Sequence, residues 1–231
     1  MQNKHVLICG GTGGLGTAVT RAALRERALI TIPYITDANL EQFRKDNPNE
    51  MNSQIRFVKA DLMKENEVQK LVNGMPRIDV LIQLVGGFAM GDTSHFSLKD
   101  WEWQISLNLT TTFLLCKHSL PRMREHNYGR IITIGSRVAI APAGKMGAYI
   151  AAKSAVLAFT KSLAEETKGT GITANSVVPG TIDTQANRKT MGTSGIDKWV
   201  KPESVAELIC FLASEQAAEI SGADIPIYGD S

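Results

Sequence analysis

A glycine-rich segment directly after the first apolar run constrains the fold of this chain more than any other feature. The run His5–Cys9 has the composition of a buried strand, and the segment Gly10–Gly16 after it contains five glycines. The stretch Ala18–Arg27 then has the composition of a helix. Glycines allow a backbone to approach a phosphate closely, and the free N–H groups at a helix N-terminus attract an anion. The segment therefore predicts a phosphate-binding turn between a strand and a helix.

The remainder of the chain alternates strand-like and helix-like segments, without an internal repeat or a linker. Further strands are predicted at Leu29–Ile35, Ile55–Ala60, Ile78–Val85, Arg130–Gly135, Ile172–Val178 and Ala223–Tyr228. Helices are predicted at Ala38–Lys45, Lys64–Val72, Asp100–His126, around Tyr149 as far as Thr167, and at Pro202–Ser214. Strands that alternate with helices favour a parallel sheet with helices on both faces. The sequence therefore predicts an α/β fold with a doubly wound parallel sheet, in which residues 1–231 form a single domain.

Composition and charge exclude several classes of function. The net charge of +2 argues against a dedicated binder of nucleic acids or membrane surfaces. No apolar run reaches the roughly 18 residues of a membrane span, and no signal-like stretch precedes Lys4. Three widely separated cysteines predict reduced thiols, and the four histidines lack the spacing of metal ligands. We therefore expect a cytoplasmic protein with no nucleic-acid partner, no membrane partner and no metal site.

Several conspicuous features fall where strands are predicted to end. They are the glycine-rich segment, Asp61, Gly86, Ser136 and the pair Pro179-Gly180. The carboxyl ends of parallel strands meet at one edge of the sheet, where such folds bind their ligands. This edge is therefore the predicted functional site.

Tyr149 and Lys153 are spaced so that a helix places both side chains on one face. An ammonium beside a phenol favours the phenolate, so the pKa of Tyr149 should fall from about 10 toward the working pH. Ser136, at the end of a predicted strand, can be delivered to the same place. The stretch therefore predicts that Tyr149 is a general acid/base.

The order of these motifs resembles that of the classical short-chain dehydrogenase/reductase family over essentially the whole chain. Cys9–Gly16 resembles the family's cofactor-binding turn, and Pro179–Thr184 resembles the segment that contacts the nicotinamide end of the cofactor. Four residues match the family's catalytic tetrad in order and spacing: Asn108, Ser136, Tyr149 and Lys153.

The resemblance implies a Rossmann-like fold and hydride transfer between NAD or NADP and a small to medium carbonyl or alcohol substrate. Tyr149 would exchange a proton with the substrate oxygen, and Ser136 would hydrogen-bond that oxygen. Lys153 would hold the nicotinamide ribose and lower the pKa of Tyr149. Asn108 would hold a water molecule that links Lys153 to solvent.

The resemblance also implies which residues contact the cofactor, in addition to Tyr149 and Lys153. They belong to the glycine-rich turn and to the loops after the strands: Gly10, Thr12, Gly13, Gly14, Leu15, Gly16, Tyr34, Asp61, Leu62, Gly86, Pro179, Gly180, Ile182 and Thr184. Because most members of the family are dimers or tetramers, we expect a homodimer or a homotetramer.

The choice between NAD and NADP stays open at the end of the second predicted strand. An acid there would bind the ribose 2′-hydroxyl and repel a 2′-phosphate, but Tyr34 occupies that position. The arginine typical of NADP enzymes is also missing, since Ile35 and Gly13 occupy its usual positions. Asp37 follows shortly and could reach round to this position, but it is interpreted as the N-cap of the next helix.

Two other departures from the family pattern are interpreted as structural. Gln83-Leu-Val-Gly86 replaces the usual Asn-Asn-Ala-Gly, and Gln83 is expected to satisfy neighbouring backbone groups. Cys9 replaces a threonine and is expected to be a small buried residue without a redox role.

The substrate is constrained only by the loop after the sixth predicted strand, which covers the substrate in this family. Residues 181–200 are polar, short and irregular, and Met191, Trp199 and residues 139–146 are candidate lining groups. The lack of a strong charge pattern there indicates a neutral substrate. Two alternative functions remain: a dinucleotide-binding sensor or scaffold without catalysis, and a lyase, dehydratase or epimerase on the same fold.

Overall fold

The computed structural model, which describes residues 1–48 and 53–230, contains one parallel sheet. In the described residues the sheet has seven strands in the order β3-β2-β1-β4-β5-β6-β7. The strands are β1 (His5–Cys9), β2 (Leu29–Tyr34), β3 (Ile55–Lys59), β4 (Val80–Gln83), β5 (Gly129–Ile134), β6 (Ile172–Pro179) and β7 (Asp224–Ile227). Each neighbouring pair is parallel, which confirms the predicted doubly wound α/β fold.

Helices connect consecutive strands and cover both faces of the sheet. They are α1 (Gly14–Arg25), α2 (Asp37–Asp46), α3 (Glu65–Asn73), α4 (Leu98–Ile105), α5 (Thr111–Arg124), α6 (Gly147–Glu166), α7 (Gln185–Met191) and α8 (Pro202–Leu212). Most of these helices lie where the sequence predicts them. Helix α7 does not, because it lies within residues 181–200, which were expected to be irregular. The hydroxyl of Thr184 accepts a hydrogen bond from the Asn187 N–H and caps this helix.

The long helix predicted at Asp100–His126 is divided in the structure. A π-helical turn, Ser106–Thr110, separates α4 from α5. Next to it, the hydroxyl of Thr111 donates to the Leu107 carbonyl and that of Thr112 donates to the Asn108 carbonyl. Such bonds to the preceding turn compete with the regular helical pattern, and π turns of this kind occur often at functional sites.

The central strands β1 and β4 are mostly apolar because both faces of the sheet are buried there. Successive residues of β1 point to opposite faces, so Val6 and Ile8 pack with α1 and α8. Leu7 and Cys9 pack on the other face, with α3, α5 and α6. The hydrophobic core therefore consists of two layers that hold the sheet rigidly between them.

The strand order changes direction at β1, which lies between β2 and β4. Connections from β1 and β4 consequently leave the sheet toward opposite sides and open a crevice at their carboxyl ends, where open α/β sheets bind ligands. The glycine-rich turn follows β1, and Gly86 lies just after β4.

Close contact between backbone segments explains two of the glycines in that turn. Gly10 has a φ of +82°, a conformation that favours glycine. A Cβ atom at Gly16 would lie 2.0 Å from the Gly10 carbonyl oxygen, so α1 can begin against the turn only if this position lacks a side chain.

We therefore expect Gly16→Ala to lower the free energy of unfolding by about 2 kcal/mol or more, because the clash is with backbone that cannot rotate away. The matched control is Gly144→Ala, since a Cβ atom at Gly144 has no heavy atom within 4 Å. The control should change stability by no more than about 0.5 kcal/mol. Urea unfolding of both variants measures the difference, and equal stabilities would contradict the packing described for the turn.

Candidate active site

Ser136, Tyr149 and Lys153 come together at the carboxyl end of β5. Ser136 lies two residues beyond Ile134, the last residue of β5, while Tyr149 and Lys153 lie one turn apart near the start of α6. The ammonium of Lys153 donates a hydrogen bond of 2.8 Å to the Ile134 carbonyl and lies 5.9 Å from the centroid of the Tyr149 ring. Lys153 therefore ties the start of α6 to the end of β5.

The electrostatic state of Tyr149 differs from the expectation. Burial raises the pKa of Tyr149 above its ordinary value, and hydrogen bonding to the Ser136 side chain lowers it by less. Lys153 directs its ammonium to the Ile134 carbonyl and does not contribute a resolved shift to the phenol. The predicted fall in the pKa of Tyr149 is therefore wrong, because removal of the phenol from water outweighs the neighbouring groups.

Lys153 is itself an unusual lysine, since only 5% of its surface is exposed. Burial disfavours the charged amine and lowers the pKa of Lys153 to about 8. The amine can therefore lose and regain a proton near neutral pH, as a group that takes part in proton transfer must.

Asn108 supports the loop after β4 from within the π-helical turn. Its side-chain amide donates to the Gly87 carbonyl at 2.9 Å and to the Gln104 carbonyl at 3.0 Å. Its side-chain oxygen accepts a hydrogen bond from the Gly87 N–H at 3.2 Å. A Cβ atom at Gly86 would lie 2.7 Å from that oxygen and 3.2 Å from the Lys153 amine, so these three residues adjoin one another.

A cavity of about 670 Å³ opens beside Ser136 and Tyr149. Phe88 forms part of its wall and packs against Tyr149, with the ring centroids 5.9 Å apart. The remaining lining residues come from the loop after β4, from the end of β5 and the loop after it, from residues 179–182 and from α7: Met90, Ile134, Gly135, Arg137, Val138, Ala141, Met146, Pro179, Gly180, Thr181, Ile182, Asn187, Thr190 and Met191. Met191 and residues 141 and 146 line the cavity as expected, whereas Trp199 is not among the lining residues.

The glycine-rich turn is built to receive an anion. Gly13 is the N-cap of α1, and in the described part of the chain no side chain caps this helix. Gly13 and Gly14 are exposed, while Thr12 and Leu15 beside them are half-buried. The first amides of α1 are therefore accessible to a phosphate, which is where nucleotide-binding folds place a pyrophosphate.

Thr184 links this turn to the loop after β6. A Cβ atom at Gly14 would lie 2.9 Å from the Thr184 Cβ, so the two segments are in direct contact. Ile182 forms an isolated bridge with Val200, which anchors the same loop to the far end of residues 181–200. The predicted phosphate end and the predicted nicotinamide end of the site are thus parts of one continuous surface.

A charged cluster lies at the end of β2. Tyr34 and Lys59 are register partners at the ends of β2 and β3. The Lys59 ammonium pairs with the Asp37 carboxylate at 2.8 Å, and this contact lowers the pKa of Asp37 and raises that of Lys59. The interpretation of Asp37 as an N-cap is wrong: Thr36 caps α2 by accepting a hydrogen bond from the Asn39 N–H, and Asp37 begins the helix.

Lys59 was missed by sequence reasoning because its relation to Tyr34 depends on strand register. The one signal in the sequence is that Tyr34 and Lys59 each lie one residue before the end of a predicted strand, which would place them side by side if the two strands were neighbours. The cluster places one cation and one anion where the ribose 2′ position was expected to bind.

Asp61 and Leu62 lie beyond the end of β3 and differ in environment. The Asp61 carboxylate accepts a hydrogen bond from the Met63 N–H at 3.0 Å and pairs with Lys64 at 3.4 Å. The Leu62 side chain is buried in the hydrophobic core, so only its backbone could contact a cofactor.

The two departures from the family pattern are structural. The Gln83 amide donates to the hydroxyls of Thr111 and Thr112, and its oxygen accepts from the Val85 N–H, so it joins β4 to α5. Cys9 is buried and its pKa is raised well above its usual range, which disfavours the reactive thiolate.

Neither a metal-binding cluster nor a membrane-spanning helix is found in the described residues. Among residues 1–48 and 53–230, no group of three or more histidine, cysteine, aspartate or glutamate side chains is arranged to hold a metal ion. Within the same ranges, none of the helices combines the length and the apolar character needed to cross a membrane.

Comparison with known proteins agrees with the fold. Residues 4–194 match the model of the family described as short chain dehydrogenase. The chain is 30% identical to a Rickettsia felis protein named 3-oxoacyl-(acyl-carrier-protein) reductase FabG, over 99% of this chain and 97% of that protein. It is 26% identical to the D-beta-hydroxybutyrate dehydrogenase of Cupriavidus necator, over 96% of this chain and 95% of that protein.

Among solved structures, a short chain dehydrogenase/reductase family protein superposes with a TM-score of 0.91 at 26% identity. The match covers 99% of this chain and 97% of that structure. The arrangement of sheet, glycine-rich turn and Ser136–Tyr149–Lys153 cluster, together with the family match, leads to one conclusion: the chain belongs to the short-chain dehydrogenase family of oxidoreductases.

Proposed function

We propose that this protein is an NAD(P)-dependent oxidoreductase that interconverts a carbonyl and an alcohol, with Tyr149 as the general acid/base. The observation that carries the proposal is the position of Tyr149 and Ser136 in the wall of a cavity, with the buried amine of Lys153 behind them. A carbonyl oxygen in this cavity can meet both hydroxyls at once. Ser136 then orients the oxygen, and Tyr149 gives or takes its proton.

The cofactor would be held along the edge of the sheet. The exposed amides at the start of α1 suit a pyrophosphate, and the segment Pro179–Thr184 lies against the same turn. When bound, a nicotinamide dinucleotide supplies or accepts the hydride at the substrate carbon. Lys153 and the Gly86 loop border the space next to Tyr149, where the nicotinamide ribose would bind.

The raised pKa of Tyr149 suits reduction of a carbonyl. A buried phenol stays protonated at neutral pH and can donate its proton to the substrate oxygen as the carbon accepts a hydride. Lys153, with a pKa of about 8, can pass a proton toward the phenolate that remains. The names of the two relatives, a 3-oxoacyl reductase and a hydroxybutyrate dehydrogenase, support chemistry at a carbon that carries oxygen.

We expect Tyr149→Phe to reduce kcat by about 10²–10⁴-fold while fold and cofactor binding are retained, because only the exchangeable proton is removed. The measurement is turnover on a panel of ketones and aldehydes, with cofactor binding followed by nicotinamide fluorescence. Tyr128→Phe is the matched control, since Tyr128 precedes β5 at the opposite edge of the sheet. Retention of most activity by Tyr149→Phe would refute the proposed mechanism.

Lys153 should make the stability of the protein depend on pH. Its pKa is about 8 in the folded state, below the ordinary value of 10.5, so the unfolded chain binds the proton more tightly. The buried charge is therefore destabilising below about pH 8, and this penalty disappears as the pH rises to about 10.5.

Relative to Lys153→Met, the free energy of unfolding of the wild type should rise by about 3 kcal/mol between pH 8 and 10.5, at about 1.4 kcal/mol per pKa unit. Urea unfolding at a series of pH values measures this difference. Lys168→Met serves as the control because Lys168 is exposed. A difference between wild type and Lys153→Met that does not change with pH would show that the amine titrates normally in the folded state.

The choice of cofactor should depend on the pair of Asp37 and Lys59. A carboxylate repels a 2′-phosphate and an ammonium attracts it, and here the two charges are paired with each other. We expect Asp37→Asn to increase the affinity for NADPH relative to NADH by about tenfold, since it removes the repulsion and frees Lys59. Lys59→Met should lower the affinity for NADPH relative to NADH, because it removes the positive charge.

Titration with each cofactor, followed by nicotinamide fluorescence, measures both ratios. Asp46→Asn, in the last turn of α2, controls for the loss of a negative charge on that helix. If neither Asp37→Asn nor Lys59→Met altered the ratio, the 2′ position would have to bind elsewhere.

A further inference from the structure

The cavity beside Tyr149 contains one charged side chain among its described lining residues. Apolar groups dominate the wall, including Phe88, Met146 and Met191, and no acidic residue, lysine or histidine contributes to it. Arg137 is the exception. A single charged group on an otherwise apolar binding surface orients a ligand, because a charged part of the ligand can bind there and an uncharged ligand leaves the group without a partner.

Arg137 is held close to the reacting groups. It directly follows Ser136 and begins a short 3-10 turn, Arg137–Ala139. Consecutive α-carbons are about 3.8 Å apart, so the Arg137 side chain begins beside that of Ser136. Both residues line the same cavity.

The guanidinium is oriented, but its hydrogen-bond donors are not used within the described part of the chain. Its central carbon lies 5.3 Å from the centroid of the Tyr228 ring, which comes from the segment after β7. Stacking on an aromatic ring fixes the plane of a guanidinium and leaves its N–H groups available. By contrast, Arg188 pairs with Asp183 and Arg124 pairs with Glu166.

Two uncharged polar groups of the outer wall are already engaged. The Asn187 amide donates to the Ile182 carbonyl at 2.8 Å, and the Thr190 hydroxyl donates to the Ala186 carbonyl at 3.0 Å. Arg137 is thus the polar group of the outer wall that has several donors left for a ligand.

We propose that Arg137 selects substrates that carry an anionic group, a carboxylate or a phosphate, at a distance from the reacting carbonyl. This inference rests on the proposed oxidoreductase function and names its substrate class. The carbonyl oxygen lies at Ser136 and Tyr149, the apolar chain contacts the methionines, and the anion meets the guanidinium. A planar fork of N–H donors matches both kinds of oxyanion.

The proposal differs from the expectation of a neutral substrate. That expectation came from residues 181–200, which carry no strong charge pattern. The charge instead comes from Arg137, which lies just after β5 and outside the candidate lining loop at residues 139–146.

The test compares oxo acids with their methyl esters, which match in shape and differ in charge. We expect wild-type kcat/KM to be higher for the acids, and Arg137→Gln to lower it for the acids by about 10–100-fold, mainly through KM, while the value for the esters changes less than twofold. Arg137→Lys should recover part of the loss. An additional arm with oxo-alkyl phosphates distinguishes a phosphate ligand from a carboxylate.

Arg44→Gln is the control, because Arg44 also lies over an aromatic ring, that of Phe57 at 5.5 Å, but belongs to α2 and not to the cavity. Equal rates for acids and esters in the wild type, or an equal fall for both in Arg137→Gln, would overturn the inference and leave the oxidoreductase function intact. Absence of turnover on every carbonyl compound, with the cofactor bound, would instead refute the oxidoreductase function and with it this inference.

Discussion

Parallel pairing of the strands is the constraint on which every functional feature depends. Because all strands of the described sheet run in one direction, their carboxyl ends meet at a single edge. The two apolar layers hold that edge rigidly, so loops of different origin keep fixed relative positions. Ser136 after β5, the Pro179–Gly180 segment at the end of β6 and the glycine-rich turn after β1 become neighbours for this reason, although they are far apart in sequence.

Burial then determines the chemistry at this edge. Tyr149 and Lys153 are both withdrawn from water, which raises the pKa of the phenol and lowers that of the amine. Each shift favours the neutral form and moves the two pKa values apart, so that proton transfer from the Lys153 ammonium to a Tyr149 phenolate becomes favourable. The same packing places Asn108 and Gly86 so close together that a Cβ atom at Gly86 would lie 2.7 Å from the Asn108 side-chain oxygen.

Much of the fold could be predicted because strands buried on both faces are apolar runs and helices between them are not. The misses have local physical causes. The turn at Ser106–Thr110 coincides with hydroxyls that bond to the preceding turn, and α7 begins at the Thr184 cap inside a segment with little apolar periodicity. The predicted direction of the Tyr149 pKa shift failed because helical spacing indicates a neighbour and carries no information about burial.

The sequence by itself determined the alternation of strands and helices, the glycine-rich turn and the order of Ser136, Tyr149 and Lys153, since each is a matter of composition or short spacing. Only the tertiary structure decided which charges meet. Lys59 reaches Asp37 through the register of β3 against β2, and Arg137 lies on Tyr228 from the other end of the chain. Contacts of this kind depend on the three-dimensional path between distant segments, which no local pattern of residues encodes.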